Sequence, residues 1–141
     1  MNSNPHTIIA LDVGEKRIGI AHADTAVKFP VPYGAIDVDG LEMERLKELF
    51  AEFEPATLVI GLPRNQQGEE TAQTEAVRSF AARLELFHIP VVFQDESLTS
   101  VLAEKYLAAH KKRYSKADID AHAAAIILGD YLEGVHPSDG A

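Results

Sequence analysis

The alternation of apolar and polar positions predicts three strands at the start of the chain. Short apolar stretches bounded by turn residues are typical of strands, and three of them follow one another at residues 7–12, 17–24 and about 31–36. The turn at 14–16 begins with Gly14 and is short, which favours an antiparallel hairpin between the first two strands. The chain is therefore expected to begin with three consecutive strands.

Beyond residue 40 the pattern predicts helices in alternation with strands. Apolar residues recur at helical spacing between Leu41 and Phe53, and Pro55 ends that helix. The elements predicted after it are a strand at 57–61, a helix at 71–87, a strand at 89–93, a helix at about 99–109, and a helix at about 119–132 with Asp118 as its N-cap. The order βββαβαβαα predicts an α/β fold with a mixed five-stranded sheet, part antiparallel and part parallel.

Composition indicates one globular domain. The 141 residues are 46% apolar and 25% charged, and they contain no repeat, low-complexity tract or long linker. We expect a single domain over 1–141 with an ordered core at about 7–134. The absence of cysteine excludes disulfides, thiolate metal sites and thiol nucleophiles. The longest apolar run is the six residues 123–128, so we expect no signal peptide, no membrane span and a cytoplasmic protein.

Net charge is unfavourable for a nucleic-acid partner, but its distribution is uneven. The formal charge is −9, whereas nucleic-acid-binding domains are usually basic. Residues 37–54 hold seven acidic and two basic side chains, as expected for a solvated helix face. Residues 105–116 hold five of the thirteen cations. The molecule is therefore expected to have a basic region despite its acidic total.

Acidic residues fall where strand ends and a helix start would bring them together. Asp12 ends the first strand, Asp95 and Glu96 follow the last one, and Asp120 lies in the first turn of the final helix. Carboxyl ends of parallel strands meet at one sheet edge, where α/β proteins bind ligands. Clustered carboxylates need a cation to stay ionised, and oxygen ligands without cysteine indicate Mg²⁺ or Mn²⁺.

Each of these polar residues also has a structural interpretation. Asp118 is interpreted as a helix cap in preference to a ligand, and Asp95 could equally cap or form a turn. Asp12 differs because it is surrounded by apolar strand residues, where an unpartnered acid would be costly. His22 and His122 stand beside apolar residues and are interpreted as structural.

Four stretches resemble the motifs of the YqgF/RuvX family of RNase H-like nucleases, in the same order along the chain. They are 10–24 (ALDVGEKRIGIAHAD), 59–65 (VIGLPRN) with Gly68 and the helix at 75–84, 95–100 (DESLTS), and 119–128 (IDAHAAAIIL). The resemblance extends from Ile8 to Leu132. The third stretch departs from the family, in which an Arg commonly follows the Glu and two Thr follow the Leu. Here those positions are Ser97, Thr99 and Ser100, which puts any contact made by that Arg in doubt.

The resemblance implies an RNase H-like fold with helices on both faces of the sheet. It also implies hydrolysis of phosphodiester bonds with two Mg²⁺ or Mn²⁺ ions in the active site. The catalytic and metal-binding residues that it implies are Asp12, Glu96 and Asp120. These are the same three acids that the strand order brings to one edge.

Basic and polar residues near this edge are candidates for binding nucleic acid. They are Lys16, Arg17, Arg64, Asn65, Lys111, Lys112 and Arg113. Lys16 and Arg17 could instead be ordinary exposed cations of a hairpin turn, and the loop after Gly61 could be shaped only by glycine and proline. The cations at 111–113 could be solvated charge.

The resemblance associates the chain with two substrates. One is the 5′ end of pre-16S rRNA, which we favour, and the other is the four-way DNA junction. A junction resolvase must cut in pairs and so form a symmetric dimer, but the sequence shows no interface and leaves monomer and homodimer open. Two other classes remain. The Asp-x-Gly hairpin also resembles the phosphate loop of sugar kinases and actin-like ATPases, whose two lobes exceed this length, and an inactive RNA-binding or protein-binding module is the second.

Overall fold

The computed structural model describes residues 5–96, 99–110 and 113–134. Five strands form one sheet in the order β3-β2-β1-β4-β5. The strands are β1 Thr7–Val13, β2 Arg17–Asp24, β3 Val31–Asp37, β4 Thr57–Pro63 and β5 Val91–Glu96. β2 is antiparallel to β1 and β3, whereas β4 is parallel to both β1 and β5. The predicted mixed sheet is confirmed, and the carboxyl ends of β1, β4 and β5 share one edge.

Helices cover both faces of this sheet. They are α1 Glu42–Phe53, α2 Ala72–Arg83, α3 Thr99–His110 and α4 Lys116–Leu132. Because strand side chains alternate between faces, Ile9 and Leu11 pack with α1 and α2, whereas Ile8 and Ala10 face α4. The α4 face of β1 and β2 is lined largely by alanine and glycine, so α4 lies close to the sheet.

Several element boundaries differ from the sequence-based prediction. α4 begins at Lys116, not near 119, because Ser115 is the N-cap and forms a capping box with Asp118. The assignment of Asp118 as the N-cap is therefore wrong, although its carboxylate does cap the helix. β5 continues to Glu96 because it pairs with β4 as far as Pro63. The helix predicted at 71–87 ends earlier, since α2 spans Ala72–Arg83 and a 3-10 helix follows it over Leu84–Phe87.

The described ranges contain no helix with the length and apolar character needed to cross a bilayer. α4 has 17 residues, but its first half carries charged side chains. Its apolar positions are buried against the sheet, so they belong to the core of the fold.

Candidate active site

Two carboxyl side chains are hydrogen-bonded to each other on the α4 face at the shared carboxyl edge of the sheet, and a third lies near enough to act on them through its charge. Asp12 is the penultimate residue of β1, Glu96 is the last residue of β5, and Asp120 lies in α4. The strand register aligns Asp12 with Gly19 and Glu96 with Pro63. The structure thus brings together the three acids that the sequence singled out.

Glu96 reaches Asp12 across β4 because Gly61 leaves the intervening space empty. A Cβ at Gly61 would overlap the Oε1 atom of Glu96 and would lie 2.5 Å from Cδ1 of Ile127 on α4. Any larger residue at this position would therefore push the Glu96 carboxyl out of its place. Glycine is required here by the close approach of two neighbours.

Asp120 is held at the site by an equally close approach of α4 to β2. A Cβ at Gly19 would overlap the backbone carbonyl oxygen of Asp120. Since helix backbone is rigid, this contact fixes both the depth and the position of α4 on the sheet. It places the Asp120 side chain beside the edge formed by Asp12 and Arg17.

Asp12 and Glu96 form a hydrogen-bonded pair of carboxyl groups that shares a proton. Burial and the charge of Asp120 raise the pKa of Asp12 to about 6. Burial and the charge of Asp12 raise the pKa of Glu96 to about 8, and its hydrogen bond to Asp12 adds to that rise. The raised pKa of Glu96 favours its protonated form, in which the Glu96 carboxyl donates a hydrogen bond to Asp12. The other oxygen of Glu96, Oε1, is buried and has no hydrogen-bond partner among the described residues.

Asp120 is neutralised in a different way, by the guanidinium of Arg17. Arg17 Nε donates a hydrogen bond to Asp120 Oδ2 at 2.5 Å, and the two side chains are 29% and 20% exposed. Arg17 is thus drawn to the acidic cluster and not outward to solvent. In the part of the chain that the structure describes, no three Asp, Glu, His or Cys side chains are arranged to hold one ion together.

The donor set nevertheless fits a hard divalent cation. Asp12 and Glu96 offer carboxylate oxygens, the ligands that Mg²⁺ and Mn²⁺ prefer. Glu96 Oε1 lacks a partner, and an unsatisfied buried oxygen beside a shared proton is where a cation would replace that proton. Asp120 could join the set if Arg17 released it.

Two of the candidate substrate-binding residues are exposed, one at the carboxyl edge of the sheet and one in the segment before α4. Lys16 lies in the hairpin turn and Arg113 precedes α4, and both are exposed. Lys111 and Lys112 lie outside the described residues.

Arg64 and Asn65 have partners within the protein. Arg64 Nε lies 3.1 Å from Asp95 Oδ1, and its Nη1 donates to the carbonyl of Gly68. Asn65 Oδ1 accepts from the backbone of Gln67 and Glu69, so the Asn65 side chain closes its own loop. The geometry thus gives both side chains a role in shaping the 64–70 loop.

The two histidines lie in aromatic contacts. The ring of His22 lies 4.7 Å from that of Phe53, and the ring of His122 lies 5.1 Å from that of Tyr106. His22 pairs with Ile9 in the hairpin, so it lies away from the carboxyl edge. These contacts agree with the structural interpretation of both residues.

Sequence reasoning missed the importance of Gly19 and Gly61 and the partner of Arg17. Both glycines lie inside the motifs quoted above, but a close approach between distant segments leaves no local pattern. The ion pair of Arg17 spans 103 positions of the chain. Only the register of β2 and the packing of α4 bring its two members together.

Comparison with solved structures shows the fold. RuvC of T. thermophilus, in complex with a Holliday junction substrate, superposes with a TM-score of 0.58 at 14% identity, covering 92% of this chain and 95% of that chain. The Fowlpox virus resolvase, solved with Holliday junction DNA, gives a TM-score of 0.52 at 13% identity, covering 92% and 98%. The expected RNase H-like fold is confirmed.

Sequence comparison shows the family. A protein of Thiobacillus denitrificans is 39% identical over 133 residues, covering 90% of this chain and 91% of the relative, and one of Lactococcus lactis is 36% identical, covering 89% and 93%. Both relatives are named provisionally as pre-16S rRNA nucleases. The family model described as "RuvX: Holliday junction resolvase" matches residues 6–134. The chain therefore belongs to the RuvX family, as its four motifs indicated.

Proposed function

We propose that this protein is a divalent-metal-dependent nuclease that trims the 5′ end of precursor 16S rRNA. The observation that carries the proposal is the placement of Asp12, Glu96 and Asp120 at one sheet edge, with a buried Glu96 oxygen that has no hydrogen-bond partner among the described residues. Membership of the RuvX family supports phosphodiester hydrolysis. The names of relatives at 36–39% identity support the ribosomal RNA substrate.

Asp12, Glu96 and Asp120 would hold two Mg²⁺ or Mn²⁺ ions. When bound, such ions assist deprotonation of the attacking water and stabilise the leaving oxygen of the phosphodiester. The role of the protein is to fix the carboxylates and to keep Glu96 and Asp12 away from bulk water. Gly61 contributes to this for Glu96, because the lack of a side chain at Gly61 leaves room for the buried Oε1 atom.

The site must lose the proton shared by Asp12 and Glu96 before it can bind metal ions and become active. Glu96 must give up the proton that it donates to Asp12, because a protonated carboxyl is a poor metal ligand. Nuclease activity should therefore rise with pH over the range in which Glu96 and Asp12 titrate. Lys16 and Arg113, with Lys111 and Lys112, would hold the substrate phosphates, a role that adds affinity without changing the chemical step.

The decisive experiment uses an end-labelled RNA that carries the 5′ extension of precursor 16S rRNA. We expect wild-type protein to cleave it in Mg²⁺ or Mn²⁺ and to leave it intact in excess EDTA. Ca²⁺ should bind but support little turnover, because its longer bonds and looser geometry misplace the water. Equal cleavage in EDTA would exclude the metal mechanism. If wild type and Asp12→Asn both left the RNA uncut in either metal, the result would favour an inactive binding module.

The four-way DNA junction is the second candidate substrate, because the matching family model is described as a junction resolvase. Junction resolution needs two symmetric cuts and hence two copies of the active site. A labelled four-way junction offered beside the RNA, with the mass of the protein in solution measured in parallel, separates the two candidates. Paired symmetric cuts by a dimer would favour the junction, and RNA cleavage by a monomer would favour the ribosomal substrate.

A further inference from the structure

The ion pair of Arg17 and Asp120 is a built contact and not an accident of a mobile surface side chain. Arg17 is the first residue of β2, and Gly19 follows it two positions later on the same face of the strand. The carbonyl of Asp120 packs directly on Gly19, so the distance between Asp120 and the Arg17 backbone is fixed by rigid elements. Both side chains are more than two thirds buried, where solvent screening is reduced.

The guanidinium of Arg17 is paired with a carboxylate oxygen that a divalent cation would use as a ligand. Asp120 Oδ2 accepts the hydrogen bond from Arg17 Nε at 2.5 Å. A metal ion can therefore use this oxygen only by displacing the guanidinium or by binding beside it. A positive charge next to a cation site weakens binding of the cation through Coulomb repulsion.

Arginine keeps its charge at every pH at which proteins are folded. The guanidinium of Arg17 therefore stays on Asp120 when the pH rises. Only competition by another cation, or by an anion for the guanidinium, can free Asp120.

We propose that Arg17 is an internal counter-cation that holds Asp120 until a divalent ion displaces it, and that it thereby sets the metal affinity of the site. The inference rests on the proposed nuclease function, because it assumes that Asp120 is a metal ligand. It assigns Arg17 to the acidic cluster as a positioning residue. Once displaced, the guanidinium stays at the edge where the substrate phosphate would lie and can pair with it.

The chain supplies a matched control in the neighbouring residue. Lys16 carries the same charge and immediately precedes Arg17 in the chain, but it is exposed and forms no ion pair with the three carboxylates among the described residues. Lys16→Gln therefore removes one positive charge without freeing a carboxylate. Arg17→Lys keeps the charge and loses the planar fork of donors.

The test is calorimetric titration of the metal-free, full-length protein with Mn²⁺ at fixed pH, without nucleic acid. We expect Arg17→Gln to bind Mn²⁺ about tenfold more tightly than wild type, or better, because the competing charge is gone. Lys16→Gln and Arg17→Lys should each stay within about threefold of wild type. If Arg17 merely kept Asp120 in order, Arg17→Gln would bind Mn²⁺ more weakly. Unchanged or weaker binding by that variant, or equal tightening by Lys16→Gln, would overturn the inference.

A second measurement on the unmodified protein removes any dependence on the folding of a variant. The Nε–H resonance of Arg17 can be followed by nuclear magnetic resonance during titration with diamagnetic Mg²⁺. It should move from a hydrogen-bonded to a solvent-exposed position as the site fills, and a resonance that stays hydrogen-bonded at saturation would contradict displacement. Neither readout involves cleavage, so failure of the nuclease proposal appears as uncut RNA and is distinguishable from failure of this one.

Discussion

The two halves of the carboxyl cluster solve the same electrostatic problem in different ways. Asp12 and Glu96 are brought together across a central strand, are partly buried, and reduce their repulsion by sharing a proton. Asp120 lies near the N-terminal end of α4, which packs on the hairpin, and is compensated by the fixed charge of Arg17. The first arrangement depends on a bound proton and the second on a fixed cation. For a metal ion to bind all three carboxylates, the proton shared by Asp12 and Glu96 must leave and the side chain of Arg17 must move.

Removing any one of the three carboxylates should have the largest effect on activity. We expect Asp12→Asn, Glu96→Gln and Asp120→Asn each to reduce kcat by roughly 10²-fold or more, because positioning of the metal ions contributes several kcal/mol to the transition state. Cleavage rates at saturating RNA measure this effect, with circular dichroism to confirm folding. Full activity in one variant would remove that residue from the site.

Asp118→Asn is the matched control for Asp120→Asn. Asp118 lies two positions away on the same helix and caps it by accepting a hydrogen bond from the backbone of Ser115. Asparagine retains an acceptor at this position and should preserve the cap. A large loss of activity in Asp118→Asn would mean that this carboxylate contributes to the site itself.

The two glycines test how rigidly each half of the cluster is built. Gly19→Ala should lower the free energy of unfolding by about 2–3 kcal/mol, because the new methyl group meets helix backbone that cannot yield locally. Gly61→Ala should cost about 1–2 kcal/mol, since the atoms that it meets are the ends of the Glu96 and Ile127 side chains. Urea unfolding of the metal-free protein measures both. An equal or reversed order would show that the helix can shift on the sheet.

The pH dependence of stability distinguishes the proton from the guanidinium. A carboxyl group whose pKa is raised by folding binds more protons in the folded state, so stability falls as pH rises from about 4 through about 8. For the metal-free wild type we expect the melting temperature to fall by about 5 °C or more over this range, relative to Glu96→Gln. Asp120→Asn should retain most of the wild-type decrease.

Added Mn²⁺ should reverse this loss, with a larger gain in melting temperature at pH 8 than at pH 5. The metal ion and the shared proton compete for the same oxygens, and only the folded state assembles them. Thermal scans with and without the ion at the two pH values provide the check. An equal gain at both pH values would mean that the ion binds elsewhere.

The smallest expected effect concerns the basic segment before α4. If Lys111, Lys112 and Arg113 contact phosphates, changing all three to Ala should flatten the slope of log affinity against log salt by about 2 to 3 units. KM should rise while kcat changes little, because such contacts are equal in the ground and transition states. A salt titration of oligonucleotide binding in Ca²⁺ measures the slopes. Parallel slopes would move the search for phosphate contacts to Lys16.

The sequence by itself determined the elements, their order and the identity of the acidic cluster. The period of apolar residues predicted all five strands and the main helices, because burial of one face dictates that period. The order of parallel strands predicted that Asp12 and Glu96 would share an edge. Errors were confined to boundaries, as at Ser115, where a local capping box competes with the hydrophobic pattern.

Only the tertiary structure decided how the acids are compensated. The partnership of Arg17 with Asp120, and the space that Gly19 and Gly61 leave for it and for Glu96, depend on the register of distant segments. The same is true of Arg64, whose Nε lies 3.1 Å from Asp95 Oδ1 on the neighbouring strand β5. Charge pairing and close backbone approach act over a few ångströms in space, and separation along the chain carries no trace of them.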